Sequence, residues 1–540
     1  MTKTNTSQRD AAHAQARTPQ QIDKWLSSLP MLNNEKMIRT LCDSLLELNC
    51  AELADSTRFE ILEVYQSHVE SVAYEIQKRK VGLSLPLSVE TSKLADSITS
   101  LFNQVALGYK IIVLNAMRQG SKYQELSSNK VVWACYWALI YLTEVLRSAY
   151  ESYRPYPKGV WKEAHELFTY AFTEGFVHYK LAIEGTDALS RDSIRGAYKR
   201  LLLMGLSNPY QLPFRAVRSV YELLERLVHK VALTPSSHTK KSPCMFVVDF
   251  ELDQPGVPYL SRSSVVDNEE CFLLDTTELV ITLRHELERI INNEPIELGN
   301  ESSIYDSERV DMLRSLIVQW GIRPIRTSAR IQNNRQADMS VGLNSVYSAL
   351  SGWKEIDQEH VTPQRGDTRE MLKGTFGYQQ FRQTHKISLI PDWEIVDESL
   401  AGLQLAHQDP SRAQIRVGEC VAIADEQQGW IVGIIRWARS GQANDVNLGI
   451  FKLGANGNAA AVQQVEGSSG PDVSTFVLAV VLLETEALGR RQMLVAPKGH
   501  YNPGSPLWLR TAGKDQVMVD PATLIVSTRL VDCFEFRIIS

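Results

Sequence analysis

The chain has 540 residues, more than one ordinary hydrophobic core can organise, so its size calls for roughly three or four units. Its formal net charge of −6 and its globular proportions of apolar and charged residues argue against a general binder of nucleic acid or anionic membrane, which would be basic. The seven cysteines, Cys42, Cys50, Cys135, Cys244, Cys271, Cys420 and Cys533, are scattered without a Cys-x-x-Cys pair, the pattern of reduced, buried thiols in a cytosol.

Met1 to Arg17 is polar and carries no apolar segment of the signal-peptide kind, so export is not expected and a cytoplasmic location is. From about Pro19 to Val231 the sequence reads as successive helices. Ile38, Leu41, Leu45 and Leu46 recur at helical spacing, as do Leu94, Ile98, Leu101 and Phe102, and Val220, Leu223, Leu224 and Leu227. Pro and Gly interrupt the pattern at Leu83 to Ser88, Arg154 to Gly159 and Asn208 to Pro213, which suggests paired helices in a hairpin stack or a repeat-like solenoid without a fixed period. Val131 to Val145 is strongly apolar but falls short of the ~20 residues of a membrane span and contains Glu144, so it reads as a buried helix. The aromatic residues around it, Trp133, Trp137 and Tyr141 among them, read as packing between helices.

Thr234 to Ser242 reads as a polar linker into a small α/β unit. Strands are expected at Met245 to Phe250 and Cys271 to Leu274, and helices at Thr276 to Ile291 and Asp306 to Trp320. After Arg323 short β patterns dominate. Ala337 to Leu343, Trp393 to Val396, Leu403 to Ala406, Cys420 to Ala424, Trp430 to Trp437 and Val446 to Leu453 are six candidate strands, and their spacing favours a closed barrel that leaves no exposed edge. Asn344 to Leu389, polar and partly helical, interrupts the rhythm as an insertion. In Trp430 to Trp437, the alternation of Val432, Ile434 and Arg436 with Ile431, Gly433, Ile435 and Trp437 implies one wall toward the core and one outward. Phe476 to Leu483, Gln492 to Ala496, Leu507 to Arg510 and Phe534 to Ile538 form a further β extension. The expected division is a helical domain at 1–236, the α/β unit at 237–322, the barrel at 323–460 with its insertion at 344–389, and the extension at 461–540.

Two short elements carry the functional signal. Arg326-Thr-Ser-Ala-Arg330, preceded by Arg323, stands before the first barrel strand, and Asp397-Glu-Ser399-Leu-Ala-Gly402 fills the turn between the second and third. Either alone would be a solvated basic loop or an ordinary turn. Together, and followed by Val417-Gly-Glu-Cys-Val421, Val432-Gly-Ile-Ile-Arg-Trp437 and Val446-Asn-Leu-Gly-Ile-Phe451, they resemble the signature and strand pattern of the PilZ family. The resemblance covers about Arg323 to Leu453 and implies a PilZ-type six-stranded antiparallel barrel. With the helical region read ahead of it, the expected fold class is an α+β multidomain protein.

The ligand that the resemblance implies is cyclic di-GMP, with Arg326, Arg330, Asp397, Ser399 and Gly402 as its binding residues and no cofactor. Physically the residue types suit it. A guanidinium grips the O6 and N7 edge of guanine with two donors, stacks on the ring and pairs with phosphate. Asp397 offers acceptors for ring and amino donors, Ser399 a hydroxyl, and Gly402 close approach of the backbone. The separation of Arg330 and Asp397 is long for the family, and degenerate copies occur. Asp338-Met-Ser-Val-Gly342 reads better as the first strand, and Arg382 with Lys386 ranks below the arginine pair because ammonium lacks the planar fork.

For catalysis the sequence offers no Walker loop, no Gly-x-Ser-x-Gly elbow and no His-Glu-x-x-His. His285-Glu286-Leu-Glu288 reads as a solvated helix face, and neither an enzyme nor a metal site is expected. The expected function is that of a bacterial second-messenger receptor, relaying to an unknown protein partner through the helical domain. The alternative is a PilZ-like interaction scaffold that no longer binds nucleotide.

Overall fold

The computed structural model describes residues 18–29, 34–79, 84–181, 192–236, 242–261, 271–292, 294–295, 306–322, 329–351, 361–362, 389–410, 413–425, 429–441, 445–465, 476–485, 489–511 and 515–539. Helices α1 (Pro19–Ser27), α2 (Asn34–Cys50), α3 (Asp55–Arg79), α4 (Val89–Gln119), α5 (Ser128–Glu151), α6 (Val160–Thr173), α7 (Ile194–Leu206) and α8 (Ala216–Leu227) build the N-terminal region. Ser88 and Ser127 cap α4 and α5, each accepting the backbone N–H of the residue three positions on. The two helices run antiparallel, with the Thr99 and Ser148 hydroxyls 2.5 Å apart at one level and the Tyr109 and Tyr141 rings stacked at another. Tyr141 and Leu146 are fully buried, while Trp133 and Trp137 are half-buried and close a run of ring contacts with Tyr136.

Among the described residues the helix long and apolar enough to cross a membrane is Val89–Lys122, not Val131 to Val145. More than half of its apolar window is buried inside the protein, and within α4 Lys110 pairs with Glu163 at 2.5 Å. Val131 to Val145 lies in α5 among the core side chains. Of the seven cysteines, Cys135, Cys271, Cys420 and Cys533 are buried, whereas Cys50 is exposed at the end of α2.

Next comes a four-stranded sheet in the order β1-β4-β2-β3, formed by β1 (Ala232–Pro235), β2 (Met245–Asp249), β3 (Val257–Pro258) and β4 (Cys271–Asp275). The expected linker therefore begins inside a strand, since Thr234 and Pro235 pair with Leu273 and Phe272. Helices α9 (Thr277–Ile291) and α10 (Asp306–Trp320) complete the unit. It shares the helical core, and Trp320 donates its indole N–H to the Leu203 carbonyl at 3.0 Å. In the charged stretch of α9, His285 and Glu288 are exposed as expected, whereas Glu286 is buried.

Strands β5 (Ile331–Val341), β7 (Ile390–Ser399), β8 (Gly402–His407), β9 (Cys420–Asp425), β10 (Gly429–Ser440) and β11 (Val446–Ala455) close an antiparallel barrel. Between β5 and β7 the chain carries α11 (Leu343–Ser351) and the two-residue β6 (Val361–Thr362). All six expected strands are present, but the first begins at Ile331 and ends at Val341. Gly342, at φ 88°, turns the chain into α11, so Leu343 is helical. The insertion is thus partly structural: Leu343, Val346 and Ala349 are buried.

The expected β extension is a second closed barrel. Strands β12 (Asn458–Gln464), β13 (Phe476–Leu482), β14 (Met493–Pro497), β15 (Leu507–Thr511), β16 (Val517–Ser527) and β17 (Val531–Ile538) pair in the ring β12-β15-β16-β17-β14-β13 and back to β12. The expected division at residue 461 falls inside β12. Both barrels use one pairing scheme: the first strand bonds the second and fourth, the third bonds the second and sixth, and the fifth bonds the fourth and sixth. Strand β6 adds to β13 in parallel.

Each barrel has its own interior, lined in the first by Trp393, Ile395, Leu405 and Ile435 and in the second by Val462, Leu494, Leu509 and Phe534. A third cluster lies between them, where Cys420, Val432, Ile434 and Leu453 meet Val480, Leu482, Val495 and Cys533. The wall of β10 expected to face outward is therefore covered by the second barrel. Backbone bonds tie the first barrel to the helices, Leu85 with Ile415 in both directions at 2.9 Å and the Ser440 N–H to the Tyr153 carbonyl at 2.8 Å.

Candidate functional site

Strand pairing brings the two sequence signals together. Arg330 enters β5, whose Ile331 and Gln332 lie opposite Glu398 and Asp397 at the end of β7. The Arg330 Nη1 donates to both Asp397 oxygens, at 2.6 and 2.8 Å, across 67 positions of sequence. The Asp397 side chain is 12% exposed and that of Arg330 is 35%, so the pair closes one rim of the barrel with the cation toward solvent. Exposed pairs of this kind contribute at most about 1 kcal/mol, so its role is to hold geometry.

Ser399 and Gly402 face each other across the two-residue turn Leu400-Ala401, and the Ser399 hydroxyl donates to the Gly402 carbonyl at 3.3 Å. A Cβ on Gly402 would stand 3.2 Å from the Ile450 carbonyl oxygen, which explains the glycine by close strand approach. Arg323, Arg326, Arg382 and Lys386 lie outside the described residues.

Sequence reasoning missed the charges beside the motif. Glu398 accepts from Arg335 at 2.6 Å, from the Asn333 amide at 3.2 Å and from Lys452, and Arg335 also pairs with Asp425 at 2.9 Å. Glu398 occupies the x position inside Asp-x-Ser, and its partners come from β5 and β11, so no local pattern announces them. A second missed feature is an aromatic ring shared by two cations. The guanidinium carbons of Arg436 and Arg490 lie 4.7 and 4.6 Å from the centroid of Phe451, whose Cα partner across the ladder is Gly402.

A cavity of about 140 Å³ lies where Arg215 and Asp311 meet Gly418 and Arg436 of the first barrel and Arg529 of the second. It is smaller than the ~300 Å³ at which small-molecule pockets begin and does not touch the signature residues. Among the described residues no group of three or more His, Cys, Asp or Glu is placed to hold a metal ion.

Residues 245–386 and 371–458 match the family described as "Cyclic-di-GMP receptor FimW, middle PilZ domain". The chain is a PilZ-domain protein. Residues 20–238 match "Cyclic-di-GMP receptor FimW, N-terminal domain", so the helices ahead of the PilZ barrel belong to the same architecture. Over 544 aligned residues the chain is 23% identical to the protein named "Cyclic-di-GMP receptor FimW" from Pseudomonas aeruginosa, with 92% of this chain and 87% of that one covered. No solved structure matches the chain. The match to the PilZ domain takes in β2 to β4 of the small sheet as well as the first barrel and stops just where the second barrel begins, while β1 falls in the N-terminal match.

Proposed function

We propose that this PilZ-domain protein is a bacterial cyclic di-GMP receptor that binds the dinucleotide through Arg326, Arg330, Asp397, Ser399 and Gly402, with Arg323 and Arg382 in lesser roles. The observation that carries the reading is the bond between Arg330 and Asp397, which joins the two halves of the signature at one barrel rim. Asp397 holds the guanidinium where the segment from Arg323 meets β5. The part of that cation left exposed is free for a phosphate or the edge of a guanine. The surroundings of Glu398 are neutralised by Arg335 and Lys452, so an approaching dianion meets no unpaired carboxylate at the turn.

Closure of the 323–330 segment over the ligand would have to reach the helical region along the barrel strands to their far ends, where Ser440 bonds Tyr153 and Arg439 lies over Tyr210, and through it the contact with a protein partner. The cytoplasm is where such a receptor meets its messenger. Calorimetry on arginine variants tests the site. Arg326→Ala and Arg330→Ala should each remove a contact worth about 1–3 kcal/mol, a roughly tenfold to hundredfold loss of affinity. Arg330→Lys should rescue little, because ammonium keeps the charge and loses the fork. Equal affinity for wild type and Arg330→Ala, or a greater loss from Arg382→Ala, would overturn the assignment. A wild type that binds nothing would leave the interaction scaffold as the better reading.

A further inference from the structure

The outer face that carries Ser399 and Gly402 continues sideways beyond the signature. Gly402 pairs with Phe451 of β11, and Phe451 pairs with Ile434 of β10, two residues before Arg436. The ladder shifts register between Ile435 and Trp437, so Arg436 is the extra residue of a bulge, and its guanidinium lies over Phe451. From the second barrel, the β13–β14 connection sends Arg490 to the same ring, where its Nη1 donates to the Leu453 carbonyl at 2.9 Å and to that of Lys452. The Lys452 N–H in turn donates to Ala401 inside the signature turn at 3.0 Å.

Two cations thus share one ring, and among the described residues neither has a carboxylate partner. Burial and then the charge of Arg436 push Arg490 below the usual guanidinium range. Like charges gathered beside an aromatic face, with nothing to neutralise them, are the complement of an anion that also offers a ring to stack. Arg147 pairs with Glu144 and Glu151, Arg200 with Asp192 and Arg335 with Glu398 and Asp425, whereas Arg58 donates only to carbonyls and Arg439 lies over single rings, so what sets this place apart is two cations on one ring.

We propose that Arg436, Phe451 and Arg490 form the second half of the dinucleotide site, taking one phosphate and its guanine while the signature residues hold the other. This rests on the cyclic di-GMP reading above and deepens it, because the second barrel then supplies a ligand-binding residue and the messenger spans both barrels. A scaffolding role for Arg490 alone, bonding two carbonyls, accounts for that arginine but leaves Arg436 without a purpose.

The test is calorimetric titration of the full chain with cyclic di-GMP, using wild type, Arg330→Ala, Arg436→Ala, Arg436→Lys and Arg490→Ala, with thermal unfolding midpoints recorded for each. Among the described residues Arg436 makes no hydrogen bond, so its variants should stay close to the wild-type midpoint. Affinity should fall about tenfold or more in both Arg436→Ala and Arg490→Ala, and Arg436→Lys should not restore it. Wild-type affinity in Arg436→Ala, with Arg330→Ala impaired, would overturn this inference and leave the receptor reading standing. A loss in Arg490→Ala alone would overturn it too, since Arg490 would then act through the contact between barrels. Absence of wild-type binding would defeat both readings together.

Discussion

At the scale of single residues, what holds a side chain in place decides what it can do. His165 is buried, with Nδ1 2.6 Å from the Tyr198 hydroxyl and Nε2 3.1 Å from the Gln254 carbonyl. Burial pushes its pKa below the ordinary histidine value. The neutral ring is therefore the folded form. Its contribution to stability is fully present above about pH 6.5 and is lost as the pH falls toward the lowered folded value, because the unfolded chain then binds the proton first. Denaturant unfolding at pH 7.5 and 5.5 should show wild type losing more stability than His165→Gln, and identical losses would refute the assignment. Gly449 gives a steric counterpart. A Cβ there would lie 1.8 Å from the Trp437 indole nitrogen, so Gly449→Ala must expel that ring, at about 1–3 kcal/mol and with a change in tryptophan fluorescence. Unaltered fluorescence with an unaltered unfolding midpoint would show that Trp437 does not rest there.

Among the elements, β10 shows why sequence patterning reads one barrel and not the other. Its alternation sends Ile431 and Ile435 into the first barrel and Val432 and Ile434 against the second, so both walls are apolar and both are buried. The sequence distinguishes the two walls but does not say what covers the outer one. The first barrel was legible because Val, Ile, Leu and Trp alternate between turns rich in Gly, Asp and Asn. In the second, β12 is Asn-Ala-Ala-Ala-Val-Gln-Gln, with little β-branched character, and β16 carries Pro521 at a register shift, which reads as a break. Closure depends on β12 meeting β13 and β15, a pairing that no local signal announces.

The candidate site divides in the same way. Arg330 and Asp397 are legible as motif residues, whereas Arg490 reaches Phe451 only because the barrels dock. Leu482, fully buried in the cluster between the barrels, is the probe of that docking. Leu482→Ala should destabilise the protein by about 2–5 kcal/mol in denaturant unfolding. A change below about 0.5 kcal/mol, the usual range for surface positions, would mean that the barrels do not share a core in solution.

For the molecule as a whole, one apolar network runs from the helices through the small sheet into the first barrel, and a second joins that barrel to its copy in topology. A ligand at the rim, with Arg330 on one side and Arg436 and Arg490 on the other, would sit where both barrels meet. Its binding energy would then bear on their arrangement. All of this depends on the dinucleotide being the ligand. The most direct measurement is an equilibrium titration of the purified full chain with cyclic di-GMP, run beside GTP under the same buffer and salt. The account predicts saturable binding of cyclic di-GMP and none of GTP over the same concentrations. Equal response to both nucleotides, or none to either, would contradict it.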